Sequence, residues 1–350
     1  MNENDHKVKR ERSLMTHKHT LLAGDIGGTK TVLAVGTNNG ERPSLRTSAR
    51  FTTLEYADFD TLLTTFINQH CRGVEFDGAV LGLAGPVRNG ICYLTNVPWK
   101  ISSTSIAQRL KVPTGRVNLL NDIEAMGHVV PVLRRDELVT LQAGHPLAEG
   151  NAALIAPGTG LGEVVLHRVN GQLLPVPTEA GHTDFAARTS TEQALQHALT
   201  DIFGRTSWEH VLSGPGLTYI HDFTHAGKTC RAINGENATK PLPEQITESA
   251  LSQRCPRCVD TLKLFVSALG AEAGNLGLRA VATAGVYIGG GIAPNILEAF
   301  QSELFLTAFH DKGPMDQLMS ELPVHVIRTA QPALLGAAIA ARKLVSTAKD

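Results

Sequence analysis

The chain has 350 residues, 42% of them hydrophobic, and a formal net charge of −1. That is ample material for a large core, at a length that suggests about two domains. The balanced charge and the lack of a Lys/Arg-rich block argue against a nucleic-acid partner, and no run of roughly 18 apolar residues is present to cross a membrane.

The 5 cysteines, an odd number, fit free thiols in a reducing compartment better than a disulfide framework. Residues 1–20 are polar, mixed in charge and without the apolar region of a secretory signal. They read as a disordered tail, and the rest as a cytoplasmic globular protein.

The first structured stretch, LLAGDIGGTKTVLAV (21–35), reads as strand, Gly/Thr turn, strand. P-loops and dinucleotide fingerprints need a strand, a turn and then a helix, so this hairpin is neither, although its turn suits a phosphate. GAVLGLAGPV (78–87) is a buried strand stopped by Gly85-Pro86. Val117–Leu120 form another, Asn121-Asp122 close it, and a helix comes next. Polar residues at that place in an α/β sheet carry chemistry. A carboxylate there can take a proton from a hydroxyl or cap the helix, and spacing alone favours the cap.

ALIAPGTGLGEVVL (153–166) repeats the strand–Gly/Thr turn–strand order of the opening hairpin, which predicts a duplicated architecture with one hairpin per half. From 258 to about 282 the apolar spacing predicts a long helix. Its Gly270, Gly274 and Gly277 are tolerable where another backbone packs closely. GVYIGGGIAPNILEAF (285–300) reads as strand, three glycines, then helix, and PALLGAAIAARKLV (332–345) as an amphipathic helix.

Three glycine turns thus come after apolar strands: Gly27-Gly28-Thr29, flanked by Asp25 and Lys30, Gly158-Thr159-Gly160, and Gly289-Gly290-Gly291. Successive glycine N–H groups can form an anion nest, and the third turn is expected to open a helix N-terminus. His225-Ala-Gly-Lys-Thr looks like the end of a P-loop, but its first glycine position is Asp222 and no strand precedes it. Glu179 and His182, in PTEAGHTDF, could bracket a polyol, or be a plain polar loop. Glu209 precedes the Ser-Gly-Pro-Gly turn. Cys255-Pro-Arg-Cys258 is half a zinc site. A second such pair is missing, His221, His225 and Cys230 would have to be recruited by the fold, and free thiols are the expectation.

The series AGDIGGTKTVLAV, LGLAGPV, LTNVPWKI, NLLNDIEAM, LIAPGTGLGEVVL, PTEAGHTDFA, WEHVLSGPGL, VYIGGGIAPNIL and PALLGAAI resembles, in order and over nearly the whole chain from Leu21, the bacterial glucokinase family of the hexokinase/actin-like superfamily. The cysteine-rich motif of the ROK sugar kinases is absent, which points to the non-ROK group.

The resemblance implies a two-domain α/β fold of the actin-like, ribonuclease H-like type with a deep interdomain cleft. The domains would be 21–132 plus 324–348, and 133–323. It implies phosphorylation of glucose at the 6-hydroxyl by ATP with Mg²⁺. Asp122 would be the general base, with Asn96, Asn121, Glu179, His182 and Glu209 on the sugar. Gly27, Gly28, Thr29, Lys30, Gly158, Thr159, Gly160 and Gly289–Gly291 would lie on the nucleotide, and Asp25 near the metal through water.

Homodimers are common in such a family, and no membrane or nucleic-acid partner is expected. A sugar-sensing regulator would need a helix-turn-helix ahead of the first hairpin, where only about twenty polar residues stand. A filament-type ATPase would not need EAGHTDF. Another hexose or an amino sugar as acceptor stays open on sequence.

Overall fold

The computed structural model describes residues 19–38, 40–233 and 240–347, so most of the polar amino-terminal tail lies outside the described residues. It divides into two units: the chain up to Val132 with the segment from Gln331, and Leu133–Ala330.

The first unit opens with β1 (Thr20–Ile26), β2 (Lys30–Thr37) and β3 (Ser44–Thr52), then α1 (Phe59–His70) and β4 (Gly78–Leu83). A small three-stranded sheet comes next, β5 (Val87–Arg88), β6 (Ile91–Tyr93) and β7 (Lys100–Ser102), then α2 (Ser103–Leu110), β8 (Val117–Asn121) and α3 (Asp122–Gly127). The main sheet has the order β3-β2-β1-β4-β8. Its first pairings are antiparallel, and β1–β4 and β4–β8 are parallel.

The alternation of side chains along a strand divides β1 cleanly. Leu22 and Ile26 pack with Phe59, Leu62 and Phe66 of α1, whereas Leu21 and Ala23 pack on the opposite face. Both faces are covered, which is why the strand reads as a continuous apolar run.

The second unit contains β9 (Leu138–Gln142), β10 (Ala152–Pro157), β11 (Leu161–Val169), β12 (Gln172–Thr178), α4 (Ser190–Phe203), α5 (Gly214–His225), α6 (Leu242–Leu251) and α7 (Pro256–Ala280). Then come β13 (Gly285–Ile288), α8 (Leu297–Phe300), α9 (Leu304–His310), α10 (Asp316–Glu321) and β14 (Val324–Ile327). The sheet order is β12-β11-β10-β13-β14-β9. Its first five strands repeat the first unit's order and sense of pairing, so the duplication anticipated from the two Gly/Thr hairpins is present in the topology. β14 pairs parallel with β13. The segment 324–330 therefore belongs to this unit, not with the terminal helix, where the sequence alone places it.

Two of the three glycines of α7 face backbone, while Gly277 faces the side chains of Leu322 and Val286. A Cβ on Gly270 would run into the carbonyl of Phe305 on α9, and one on Gly274 would lie 2.6 Å from that of Phe309. α11 (Pro332–Thr347) returns to the first unit. Leu334, Ala337, Ala338 and Ala341 pack against Leu21, Ala23 and Val80. Gly336 touches α3, where a Cβ would run into the carbonyl of Ala125.

Candidate active site

In the first unit, the β1–β2 turn is held from behind. Gly27 N–H donates to Lys30 O at 2.9 Å and Thr53 N–H to Thr29 O at 3.0 Å. The Thr53 hydroxyl donates to Gly27 O at 2.9 Å. Thr53 is buried and shares a hydroxyl–hydroxyl contact with Thr31. A Cβ on Gly28 would sit 3.0 Å from the Cβ of Asn96, so the loop between β6 and β7 lies against this turn. Asp25 is near the end of β1, in register with Val32 and Gly82. Burial raises its pKa, and the Lys30 ammonium works against that rise.

Asn121 ends β8 and Asp122 begins α3. The N-cap is Asn121, whose Oδ1 accepts from Ile123 N–H at 2.9 Å. Asp122 Oδ1 accepts the same donor at 2.8 Å. The cap that spacing alone favoured for Asp122 falls to Asn121, with Asp122 as the first helical residue. Gly82 lets α3 approach β4: a Cβ there would lie 2.9 Å from Ala125 and 3.5 Å from the Cα of Asp122. Burial, then the Asp122 charge, pushes the Cys92 thiol up to about 11.

In the second unit three segments meet. A Cβ on Gly181 would run into the carbonyl of Leu161, which seats the EAGH turn on the β10–β11 hairpin. Glu209 N–H donates to Gly181 O at 2.8 Å and Trp208 N–H to Thr183 O at 3.0 Å. Below them Trp208 and Phe185 pack edge to face, ring centres 4.9 Å apart, in the unit's core. Two buried aromatics thus fix two loops whose polar residues point outward.

His182 lies between the two acids, Nε2 at 4.0 Å from Glu179 and Nδ1 at 3.9 Å from Glu209. Glu209 Oε2 also accepts from Leu161 N–H at 2.9 Å, and a Cβ on Gly160 would lie 2.5 Å from that same oxygen. The acid, the imidazole and the glycine turn are therefore one assembly. Two carboxylates and an imidazole offer both acceptors and a donor, the set a polyol's hydroxyls require.

Gly158 N–H donates to Gly160 O, and Gly158 O accepts from Gly214 N–H, both at 2.8 Å. The third glycine turn is stitched to this hairpin: Gly289 N–H donates to Ile155 O at 2.8 Å and Ile292 N–H to Pro157 O at 3.3 Å. Gly290 has φ +81° and abuts the carbonyl of Pro157, where only glycine fits. The turn leads into a 3₁₀ stretch, Ala293–Ile296, and then the four-residue α8. The helix expected there is only four residues long and lies beyond a 3₁₀ stretch, too short to act as an anion site. The His225-Ala-Gly-Lys-Thr stretch lies at the end of α5, not after a strand, so it is no P-loop.

The predicted residues sort into two sets. Asp25, Gly27, Gly28, Thr29, Lys30, Asn96, Asn121 and Asp122 belong to the first unit. Gly158, Thr159, Gly160, Glu179, His182, Glu209 and Gly289–Gly291 belong to the second. Sequence reasoning missed Thr53, which holds the first turn. It also missed Arg205, which donates to His182 O at 2.9 Å and to Asp184 at 2.7 Å. Neither has a local signal, since a threonine after a strand and an arginine in a loop are ordinary.

The glucokinase family model matches residues 22–344. A glucokinase of Nostoc sp. is 35% identical over 342 residues, covering 93% of this chain and 99% of the relative. Among solved structures, a glucokinase from an Antarctic psychrotroph superposes with a TM-score of 0.79 at 27% identity, over 93% of this chain and 99% of that one. The glucokinase of Balamuthia mandrillaris, solved with glucose, gives 0.73 at 20% identity, over 98% and 99%, a likeness of fold. The match runs through the DIGGTK hairpin and the NDIEA strand end of the first unit and the EAGH turn of the second, and the chain belongs to the glucokinase family of sugar kinases.

Proposed function

We propose that the chain transfers the γ-phosphoryl group of ATP to the 6-hydroxyl of glucose, with Asp122 as the general base. The observation that carries this reading is the convergence of Glu179, His182 and Glu209 on the glycine hairpin at Leu161. It is a hydroxyl-binding set joined by a hydrogen bond to a phosphate-type turn.

Phosphoryl transfer depends mainly on positioning and charge stabilisation. Asp122 takes the hydroxyl proton as the oxygen attacks. Asn121, Asn96, Glu179, His182 and Glu209 orient the sugar.

At Gly158 and Gly291 the turns are open, since apart from the adjoining residues nothing stands within 4 Å of where a Cβ would be. That leaves the chain open to a ligand at those two positions, with the Gly158 N–H itself engaged by Gly160 O. Mg²⁺, which neutralises phosphate charge when bound, would be held near Asp25 through water, with Lys30 beside it on the nucleotide. Exclusion of water protects the phosphoryl group from hydrolysis.

The reading extends to a cytoplasmic homodimer. No helix among the described residues is long and apolar enough to cross a membrane, and sedimentation checks the assembly.

The test is ATP-dependent phosphorylation over glucose, mannose, fructose, glucosamine and N-acetylmannosamine, by wild type and Asp122→Asn. Glucose turnover that collapses in a folded mutant is the expected result. Turnover within a few-fold of wild type would remove Asp122 as base, and preference for another sugar would change the substrate.

A further inference from the structure

The opposite end of α5 from the SGPG turn gathers groups that the kinase reaction does not use. His221 and His225 lie one turn apart on α5, Cys230 comes after the helix, and Cys258 is in the first turn of α7, after Cys255 at its N-cap. All four of His221, His225, Cys230 and Cys258 are buried, and each presents a ligand atom within 4.8 Å of every other.

The two sulfurs of Cys230 and Cys258 are 3.7 Å apart. That is far beyond a disulfide's length of about 2.05 Å and matches the edge of about 3.8 Å between thiolates on a tetrahedral zinc with Zn–S of about 2.3 Å.

The histidines are oriented to coordinate. His225 Nδ1 lies 2.8 Å from the carbonyl of His221. A carbonyl only accepts, so Nδ1 carries the proton and Nε2 the lone pair. His221 Nδ1 lies 3.3 Å from Asp222 Oδ1, and the same logic leaves its Nε2 unprotonated. That nitrogen is buried with no hydrogen-bond partner, and His221 is only 7% exposed. An orphaned buried acceptor costs about 1–3 kcal/mol, unless something meets it. A carboxylate or carbonyl behind a histidine is the usual support of a metal ligand.

We propose that His221, His225, Cys230 and Cys258 form a structural zinc site. Two thiolates and two imidazoles suit zinc in charge, softness and geometry, and two thiolates neutralise the divalent ion where it is buried. Cys255 Sγ, 3.5 Å from His225 Nε2, borders the cluster. A cavity of about 350 Å³ lined in part by His221, His225, Cys230 and Lys228 gives the ion a way in. The metal locks the carboxyl end of α5 to the amino end of α7. The other end of α5 is hydrogen-bonded to the glycine hairpin through Gly214 and Gly158, so the site braces the helix without touching substrate.

The test uses full-length, untagged protein grown with zinc and dialysed. Elemental analysis should give about one zinc per chain. Removal by chelator should expose two further reactive thiols and lower Tm by roughly 5–10 °C. Replacement by Co²⁺ should give the charge-transfer and ligand-field absorption of a tetrahedral thiolate complex. Cys230→Ser and His221→Asn should each lose most of the zinc, while Cys71→Ser in the first unit keeps it. If those variants fail to fold, the cobalt spectrum of the wild-type chain decides. Wild type without stoichiometric zinc and without the cobalt absorption, or a Cys230–Cys258 disulfide in the native protein, would overturn the proposal.

Discussion

The β1–β2 and β10–β11 hairpins occupy the same place in two sheets of the same order, yet they are held and charged differently. The first turn is fastened by Thr53 from its own unit's sheet edge and carries Asp25 and Lys30 at its flanks. The second has no charge in its turn. It is fastened by Glu209, which we propose as one of the sugar-binding residues. Each hairpin also carries one shielded acid, half-buried in the first and fully buried in the second. Asp25 stands on the outgoing strand with Lys30 as counter-charge, and Glu163 on the returning strand faces Arg279 of α7 at 3.5 Å, beside Glu272. One supersecondary unit, used twice, thus acquires different chemistry from what its neighbours supply.

The largest expected effect separates the halves by role. Asp122→Asn should leave the melting temperature and glucose binding near wild type and lower kcat by roughly 10²–10⁴-fold. Substitution in the second set, at Glu179 or His182, should act mainly on the KM for glucose.

The next prediction compares glycines within one turn. Gly160→Ala drives a methyl group into the Glu209 carboxylate, whereas Gly158→Ala meets nothing within 4 Å. Displacing Glu209 from Leu161 loses a charge-assisted hydrogen bond, so kcat/KM for glucose should fall roughly 10–100-fold in the first variant. The second should bind sugar normally and show any loss in the KM for ATP. Equal sugar KM values in the two would break the claimed link between turn and sugar site.

Gly336→Ala tests the packing of α11 on α3. Overpacking against Ala125 should cost about 1–3 kcal/mol and lower kcat as α3 shifts with Asp122. Thermal unfolding and steady-state kinetics measure both.

The mildest test is pH. Burial first, and then the neighbouring Glu272 charge, raises Glu163 to about 8 from 4.5. The folded state thus holds a proton that the unfolded state releases. Stability from this group is complete below about pH 4.5 and declines as pH rises to about 8, at no more than about 1.4 kcal/mol per pH unit. Glu163→Gln should flatten Tm against pH in that window. An unchanged slope would assign the proton elsewhere.

Much of the fold was legible because the central strands of both sheets are buried on both faces. Strands such as GAVLGL and AALIAP then appear as uninterrupted apolar runs with glycine turns at their ends. The boundary near β14 was misplaced because VHVI is short and nothing in it names a partner strand. The helix after Gly289–Gly291 came out shorter than expected: Pro294 suits a helix's first turn, but the chain there forms a 3₁₀ stretch before a single α turn. At the candidate site, residue types were legible and contacts were not. Glu179 and His182 are three apart in the chain, but Glu209 joins them only because Trp208 and Phe185 pin two separate loops.

By itself the sequence determined the α/β class, the two hairpins and the residue types of the site, since periodicity, turn chemistry and motif order are local properties. The tertiary structure alone decided that Glu209 supports the glycine turn, that Gly336 admits α3, and that two histidines and two cysteines from α5, α7 and the segment between meet in one buried cluster. Their partners are separated by up to hundreds of residues, and only packing brings such groups within bonding distance.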